Sequence, residues 1–94
     1  MRKDASETRK QLIGLLVNEL PVLRAKASVS QAEMADKIGI SRQTYNALET
    51  GKKEMDWTLF VALMAVFLHD EDTSRMLNSL DGFKESVFKE IDLY

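Results

Sequence analysis

The sequence predicts an all-α protein built as one small domain, and three observations carry that prediction. Only four glycines and one proline occur among the 94 residues. Hydrophobic residues make up 45% and charged residues 30% of the chain, a balance that favours a compact helical protein over a disordered or β-rich one. Apolar residues recur at helical spacing along most of the sequence. A chain of this length can bury about 60 to 65% of the surface that it exposes when unfolded, enough for a single core.

The first predicted helix runs from Glu7 to Lys26. Its apolar residues recur at intervals of three and four, and they are Leu12, Leu15, Leu16, Leu20 and Leu23. Pro21 lacks a backbone N–H, and its ring crowds the carbonyl of Val17. The sequence therefore predicts that this helix kinks or restarts at Pro21.

Two short helices follow, joined by a turn that contains Gly39. Ser30 and Glu33 form the pattern of a capping box, in which each side chain accepts a hydrogen bond from the backbone N–H of the other residue. A second helix therefore begins there and ends before Gly39. Ser41 is a good N-cap for a third helix of about nine residues. Gly51 can take the left-handed conformation that ends it.

Three more helices are predicted in the rest of the chain. The fourth begins after Asp56, extends to Leu68 and is apolar on almost every side, so it must be buried centrally or covered by a partner. From Asp70 onward the periodicity is weaker, with a break at Asp81 and Gly82. Two further helices are expected there.

The net charge of −2 hides an asymmetry between the halves of the chain. Residues 1–53 hold ten Lys or Arg and six Asp or Glu, a net charge of +4. Residues 54–94 hold three Lys or Arg and nine Asp or Glu, a net charge of −6. The halves are therefore expected to face different partners.

Several classes of protein and of site are disfavoured. The absence of cysteine excludes disulfides and fits a reducing compartment, so we expect a cytoplasmic protein. The charged start is unlike a signal peptide, and the longest apolar run, from Trp57 to Leu68, would span only about 18 Å as a helix, too short for a membrane. With His69 as the only histidine and no phosphate- or metal-binding motif, we expect no enzymatic activity, no cofactor and no metal site.

Two short helices around a glycine-containing turn form the unit that places a recognition helix in the major groove of DNA. Ala35 would let the two helix axes approach closely, and Ile40, Tyr45 and Leu48 would anchor the second helix to the core. The residues left facing outward are Arg42, Gln43, Thr44, Asn46 and Ala47. Arginine can donate two hydrogen bonds to guanine, and glutamine can pair with adenine, so Arg42 and Gln43 are suited to base edges.

This stretch resembles the Cro/phage-repressor family of helix-turn-helix proteins, also called the XRE family. The resemblance covers roughly residues 20–68 and rests on residue types and their spacing: Gln31, Ala35, Gly39, Ile40, Ser41, Leu48, Glu49 and Gly51. It implies a five-helix repressor-like DNA-binding domain with an additional C-terminal helix. On that basis we predict a DNA-binding domain in residues 1–69, with the motif at 31–50, and a helical extension in residues 70–94 that dimerises.

The resemblance also assigns roles to single residues. Base contacts are implied for the outward row, and DNA-backbone contacts for Gln31, Ser41, Thr50, Lys52 and Lys53. The family pairs an arginine near the end of its first helix with a glutamate near the end of its recognition helix, here Arg24 and Glu49, as a structural ion pair. Two features depart from the family pattern. Tyr45 replaces the usual aliphatic anchor, and Glu54 adds a negative charge where a phosphate would pass.

The predicted function is sequence-specific regulation of transcription, and more narrowly repression, by a homodimer on double-stranded DNA. The apolar stripe of the last helix comprises Phe83, Val87, Phe88, Ile91 and Tyr94. It could close the core of the monomer or pack against a second copy, and we favour dimerisation because two half-sites require two copies. One alternative is an antitoxin that autoregulates its operon and binds a toxin through this stripe. Another is an interaction module that kept the fold without DNA binding.

Overall fold

A computed structural model describes residues 3–91, with side chains from residue 7 onward. These residues form six α-helices and no strand, which confirms the all-α prediction. In chain order the helices are α1 (Lys3–Ala27), α2 (Gln31–Ile38), α3 (Arg42–Glu49), α4 (Trp57–His69), α5 (Glu71–Ser79) and α6 (Phe83–Ile91).

Side-chain caps fix where the short helices begin. The Ser30 backbone N–H donates to Glu33 Oε1 at 2.8 Å, and the Glu33 N–H donates to Ser30 Oγ at 3.0 Å, so the predicted capping box is present at α2. Ser41, Asp56 and Asp70 cap α3, α4 and α5, each accepting from the backbone N–H three residues further on. The predicted starts of α2, α3 and α4 are confirmed.

α1 continues through Pro21, and the predicted restart of the helix there is wrong. A proline inside a helix removes one backbone hydrogen bond. Leu20 and Leu23, however, are both completely buried, one on each side of the proline. Their packing against the core offsets the local loss, so tertiary contacts override the helix-breaking signal.

α4 lies at the centre of the fold. It contacts α1, α2 and α5, and Phe60, Leu63 and Phe67 on it are completely buried. The core is one cluster to which each of the six helices contributes. Central burial, one of the two options predicted for this apolar helix, is therefore what the structure shows. No helix within residues 3–91 is long and apolar enough to cross a membrane.

The apolar stripe of α6 is divided between the core and the surface. Phe83 and Val87 are buried, at 3% and 0% exposure, so their predicted role in dimerisation is wrong, because they pack inside one chain. Phe88 and Ile91 are exposed, at 49% and 39%. Tyr94 lies outside the described residues. Because α5 and α6 both contact α1, they share its core, and a separate extension from residue 70 stays a prediction.

Arg9 ties α6 to the rest of the protein. Its guanidinium lies 4.7 Å from the centroid of the Trp57 ring on α4, within the range of a cation–π contact. Arg9 Nε donates to Glu90 Oε1 at 3.1 Å, and Arg9 Nη2 donates to the Glu90 carbonyl at 3.3 Å. One side chain of α1 therefore contacts both α4 and the end of α6.

Candidate nucleic-acid interface

The turn between α2 and α3 is fixed by backbone hydrogen bonds. Gly39 has φ 79°, a left-handed conformation that favours glycine. The Ile40 N–H donates to the Ala35 carbonyl at 3.0 Å, which satisfies one of the free carbonyls at the end of α2. Ala35 is 2% exposed, and its small side chain lets α3 cross α2 closely. The turn therefore sets α3 at a defined position on the protein surface.

α3 has a buried face and an outward face. Tyr45 and Leu48 are completely buried, so they hold the helix against the core. Arg42, Gln43 and Asn46 are exposed, whereas Thr44 and Ala47, also predicted to face bases, are half-buried. Within residues 7–91, Arg42 and Gln43 form no side-chain hydrogen bond or ion pair. Their donors and acceptors are therefore available to a ligand.

Gln31 joins the start of α2 to the outward face of α3. Asn46 Nδ2 donates to Gln31 Oε1 at 3.1 Å, and Gln31 Nε2 donates to Glu49 Oε1 at 2.6 Å. Together with Arg42 and Gln43, Gln31 and Asn46 line one shallow depression. Gln31 is thus positioned between the structural cluster around Glu49 and the exposed row.

Glu49 is the centre of that structural cluster. Arg24 Nε donates to Glu49 Oε2 at 2.9 Å and Arg24 Nη2 donates to Glu49 Oε1 at 3.0 Å, a bidentate pair between α1 and α3. The Tyr45 hydroxyl donates to Oε2 at 2.9 Å, and Arg24 Nη1 donates to the Val29 carbonyl at 3.2 Å. The side chains of Arg24 and Glu49 are 21% and 6% exposed. The structure therefore brings this sequence-predicted pair together.

Comparison with known proteins identifies the segment that contains these features. Residues 23–65, a little under half of the chain, match the family model for helix-turn-helix domains. Over these residues the chain is similar to helix-turn-helix domains of the Cro/C1 type, the XRE family. The matched segment runs from the end of α1 through α2 and α3 into α4, and it includes the whole Arg24–Glu49 cluster. Searches of curated proteins and of solved structures found no match.

The hydrogen bonds that Glu49 accepts keep its carboxyl group ionised. Burial by itself would raise the pKa of Glu49, but the hydrogen bonds from Arg24, Gln31 and Tyr45 outweigh it and hold the pKa below the ordinary value of 4.5. The hydrogen bond to Glu49 raises the pKa of Arg24. Burial, reinforced by Glu49, raises the pKa of Tyr45, so its hydroxyl keeps its proton and donates.

This lowered pKa predicts how stability depends on pH. Because the pKa of Glu49 is lower in the folded than in the unfolded chain, its contribution is complete above about pH 4.5 and is lost as the pH falls through the folded pKa. We expect the free energy of unfolding, measured in urea, to decline as the pH falls below about 4.5. The free energy of unfolding of the Glu49→Gln variant should decline less steeply over the same range. Glu33 and Asp70, whose pKa values are lowered by hydrogen bonds from Ser30 and Thr73, would leave a residual slope.

Glu54→Gln is the matched control for that pH dependence. Glu54 is exposed and makes no hydrogen bond or ion pair among the described side chains, so its removal should leave the slope unchanged. An acid slope for Glu49→Gln as steep as that of the unmutated chain would contradict the assigned role of Glu49.

Four of the residues predicted to contact the DNA backbone lie at the two ends of α3. The Ser41 hydroxyl accepts from the Thr44 N–H at 3.0 Å and donates to Thr44 Oγ1 at 2.9 Å, so it acts as a cap. Thr50 Oγ1 donates to the Asn46 carbonyl at 2.9 Å and closes the other end of α3. The backbone N–H groups of Lys52 and Lys53 both donate to the Ala47 carbonyl, at 2.8 and 3.1 Å. Both lysine side chains are exposed just beyond α3.

Two features of the interface were missed by the sequence analysis. The hydroxyl of Tyr45 donates to Glu49, whereas the sequence pattern indicates only an unusual anchor at this position. Tyr45 and Glu49 are four residues apart on a helix, so their proximity is detectable from spacing. The Asn46–Gln31 hydrogen bond joins two different helices, and the sequence offers no equivalent signal for it.

Proposed function

We propose that this protein is a transcriptional repressor that binds a pseudopalindromic DNA operator as a homodimer. The observation that carries the proposal is the exposed row of Arg42, Gln43 and Asn46 on a helix whose opposite face is completely buried. Arg42 and Gln43 supply the bidentate donors and acceptors that distinguish base edges in the major groove. The rigid turn at Gly39 presents them together.

The ends of α3 would set the position of the protein on the DNA backbone. Lys52 and Lys53 are exposed beyond the C-terminal end of α3, where their ammonium groups can pair with phosphates. Ser41 lies at the other end, and Gln31 lies beside Asn46 and Glu49 of α3. The half-buried Thr44 and Ala47 complete the surface. Phosphate contacts of this kind fix register, and the base contacts add sequence preference. The acidic half of the chain would face away from the DNA.

Two copies would meet through the exposed part of α6. Phe88 and Ile91 remain exposed after Phe83 and Val87 are used by the core, and they are apolar enough to form a contact between copies. In the proposed dimer the two recognition helices bind half-sites one DNA turn apart, about 34 to 36 Å.

Selection of bound duplexes from a random pool tests the proposal. The expected result is enrichment of two inverted half-sites whose centres are separated by about 10 to 10.5 base pairs, or by a multiple of that spacing. Absence of enrichment at low salt would refute sequence-specific DNA binding. Enrichment of one half-site without a symmetric partner would refute the homodimer.

The exposed Phe88–Ile91 surface also favours a second candidate, an antitoxin that binds a toxin there while its helix-turn-helix regulates the operon. Co-expression with the protein encoded beside it separates the two. A stable complex that Phe88→Glu dissociates would favour the antitoxin. A homodimer that Phe88→Glu converts to a monomer would favour the repressor.

The proposed backbone contacts predict a change in salt dependence. Lys53→Ala should weaken binding to all duplexes alike and reduce the slope of log affinity against log salt concentration by about one unit, because one fewer counterion is displaced. Lys89→Ala, an exposed lysine of the acidic half, should leave the slope unchanged. Equal slopes for the Lys53 variant and the unmutated chain, measured by fluorescence anisotropy, would exclude that contact.

A further inference from the structure

One exposed face of α1 carries no charge over four helical turns. Every exposed residue of this face from position 11 to position 25 is uncharged: Gln11, Gly14, Leu15, Asn18, Pro21, Val22 and Ala25. Over the whole chain, 30% of the residues are charged. Depletion of charge distinguishes the core of a protein–protein interface from other surface. Leu15 and Val22 are also two of the four large hydrophobic residues that the described chain leaves exposed, at 52% and 47%.

A groove runs beside this face, between α1 and the loop that follows α3. Its volume is about 900 Å³, and its apolar lining residues are Ile13, Leu15, Val17, Leu48 and Met55. Gly14 also lines it, and a Cβ added there would meet no atom within 4 Å, so the wall formed by α1 is open. We call the uncharged face and this groove together the α1 groove. Leu15 is its most exposed apolar lining residue and Ile13 and Val17 are half-buried, whereas Leu48 and Met55, at 0% and 7% exposure, belong to the core beneath it.

Beside the loop that follows α3, the charges that line the α1 groove are mainly positive, whereas Glu19 and Asp81 lie near Leu15 on the other side of the face. Lys10 on α1 and Lys53 on the opposite loop line it, and neither forms an ion pair among residues 7–91. Glu54 is the one acidic residue among the lining residues. Two exposed ammonium groups on opposite sides of an apolar floor are complementary to a ligand that is apolar in the middle and acidic at its edges.

The length of the face indicates a helix rather than a small molecule. Leu15 and Val22 are seven residues apart, about 10 Å along α1, and therefore lie on the same side of it. From Gln11 to Val22 the face extends about 17 Å, the length of roughly three helical turns. Partner helices that bind in grooves place apolar residues at positions i, i+3, i+4 and i+7, which matches this spacing.

We propose that the α1 groove binds an acidic amphipathic helix of a partner protein. A regulatory consequence rests on the proposed function, because Lys53 would be needed both by the partner and by a DNA phosphate. The partner helix would then compete with DNA, and its binding would release the operator.

A synthetic peptide tests binding without DNA. The probe is a fluorescein-labelled peptide of about 18 residues with leucines at helical spacing on one face and glutamates on the other. Its scrambled version has the same composition without an apolar face. Titration of each peptide with the full chain, followed by anisotropy, should show at least tenfold tighter binding of the amphipathic peptide.

Two pairs of variants place that binding on the α1 groove. Leu15→Glu should weaken peptide binding about tenfold. The substitution replaces a half-exposed leucine that the peptide would bury with a carboxylate of the same charge as the peptide. Phe88→Glu, with nearly equal exposure on α6, should change it less than twofold. Lys10→Glu should weaken peptide binding about threefold. Lys37 is an exposed lysine of α2 that does not line the groove, so Lys37→Glu should leave peptide binding unchanged. Circular dichroism melting shows that each variant is folded.

Three results would overturn the proposal. The first is equal binding of the scrambled peptide. The second is binding that Phe88→Glu reduces and Leu15→Glu leaves unchanged. The third is conversion of a dimer to a monomer by Leu15→Glu in sedimentation, because a second copy would then occupy the groove. A separate titration with the selected duplex distinguishes the two proposals, since a chain that binds the peptide but no duplex refutes only the DNA-binding function.

Discussion

Glu49→Ala should lower the free energy of unfolding by about 3 kcal/mol in urea at pH 7. The substitution leaves the Arg24 guanidinium without its bidentate partner and removes the acceptor of the Gln31 and Tyr45 donors. Removing one partner of a buried ion pair costs about 3 to 5 kcal/mol, and the 21% exposure of Arg24 places the loss at the lower end of that range.

A double-mutant cycle shows whether that loss comes from the pair. Arg24→Ala should destabilise by a similar amount, and the double variant by clearly less than the sum, because each substitution already removes the same interaction. Glu54→Ala, which removes an exposed glutamate, should change stability by less than about 0.5 kcal/mol. Additive losses in the cycle would show that Arg24 and Glu49 act independently.

Arg42→Ala should abolish the preference for one base pair in each half-site, with a loss of about 1 to 3 kcal/mol on the preferred sequence. Arg42 is exposed in the first turn of α3 and has no partner among the described side chains, so the effect on folding should be small. Binding to duplexes that already carry another base at that position should change much less. Competition with duplexes altered at one position at a time measures both effects.

Arg75→Ala is the matched control for the loss of an exposed arginine. Arg75 lies on α5 in the acidic half, and its side chain is 69% exposed. Its removal should leave the base preferences unchanged. If Arg42→Ala weakens every duplex by the same factor, Arg42 contacts the backbone and supplies no base preference.

Much of the helix-turn-helix could be predicted because its determinants are local. The Ser30–Glu33 capping box, the N-cap at Ser41 and the glycine at position 39 act through atoms a few residues apart, and the structure contains each of them. The uniform apolarity of α4 similarly required burial, which the structure shows. Where both interacting groups lie within a few residues of each other, the sequence alone predicts the local structure correctly.

The remaining features depend on contacts between distant parts of the chain. α1 passes through Pro21 because leucines on both sides are buried by other helices, which local propensity does not reveal. The sequence predicts Phe83 and Val87 in a dimer contact, whereas α6 packs against α1 and α5 and both residues are buried within one chain. The pairing of Arg9 with Glu90 joins residues 81 positions apart. Periodicity identifies an apolar stripe, whereas the tertiary fold decides what covers it.

The measurement that tests base recognition most directly replaces one guanine with 7-deazaguanine, which lacks the N7 acceptor. It is made at the guanine whose preference Arg42→Ala removes, and both proteins are titrated with both duplexes. We expect the replacement to weaken DNA binding by the unmutated chain about tenfold. It should leave DNA binding by the Arg42→Ala variant unchanged, because that variant already lacks the hydrogen bond to N7. An equal loss for both proteins, or no loss for the unmutated chain, would contradict recognition of that guanine by Arg42.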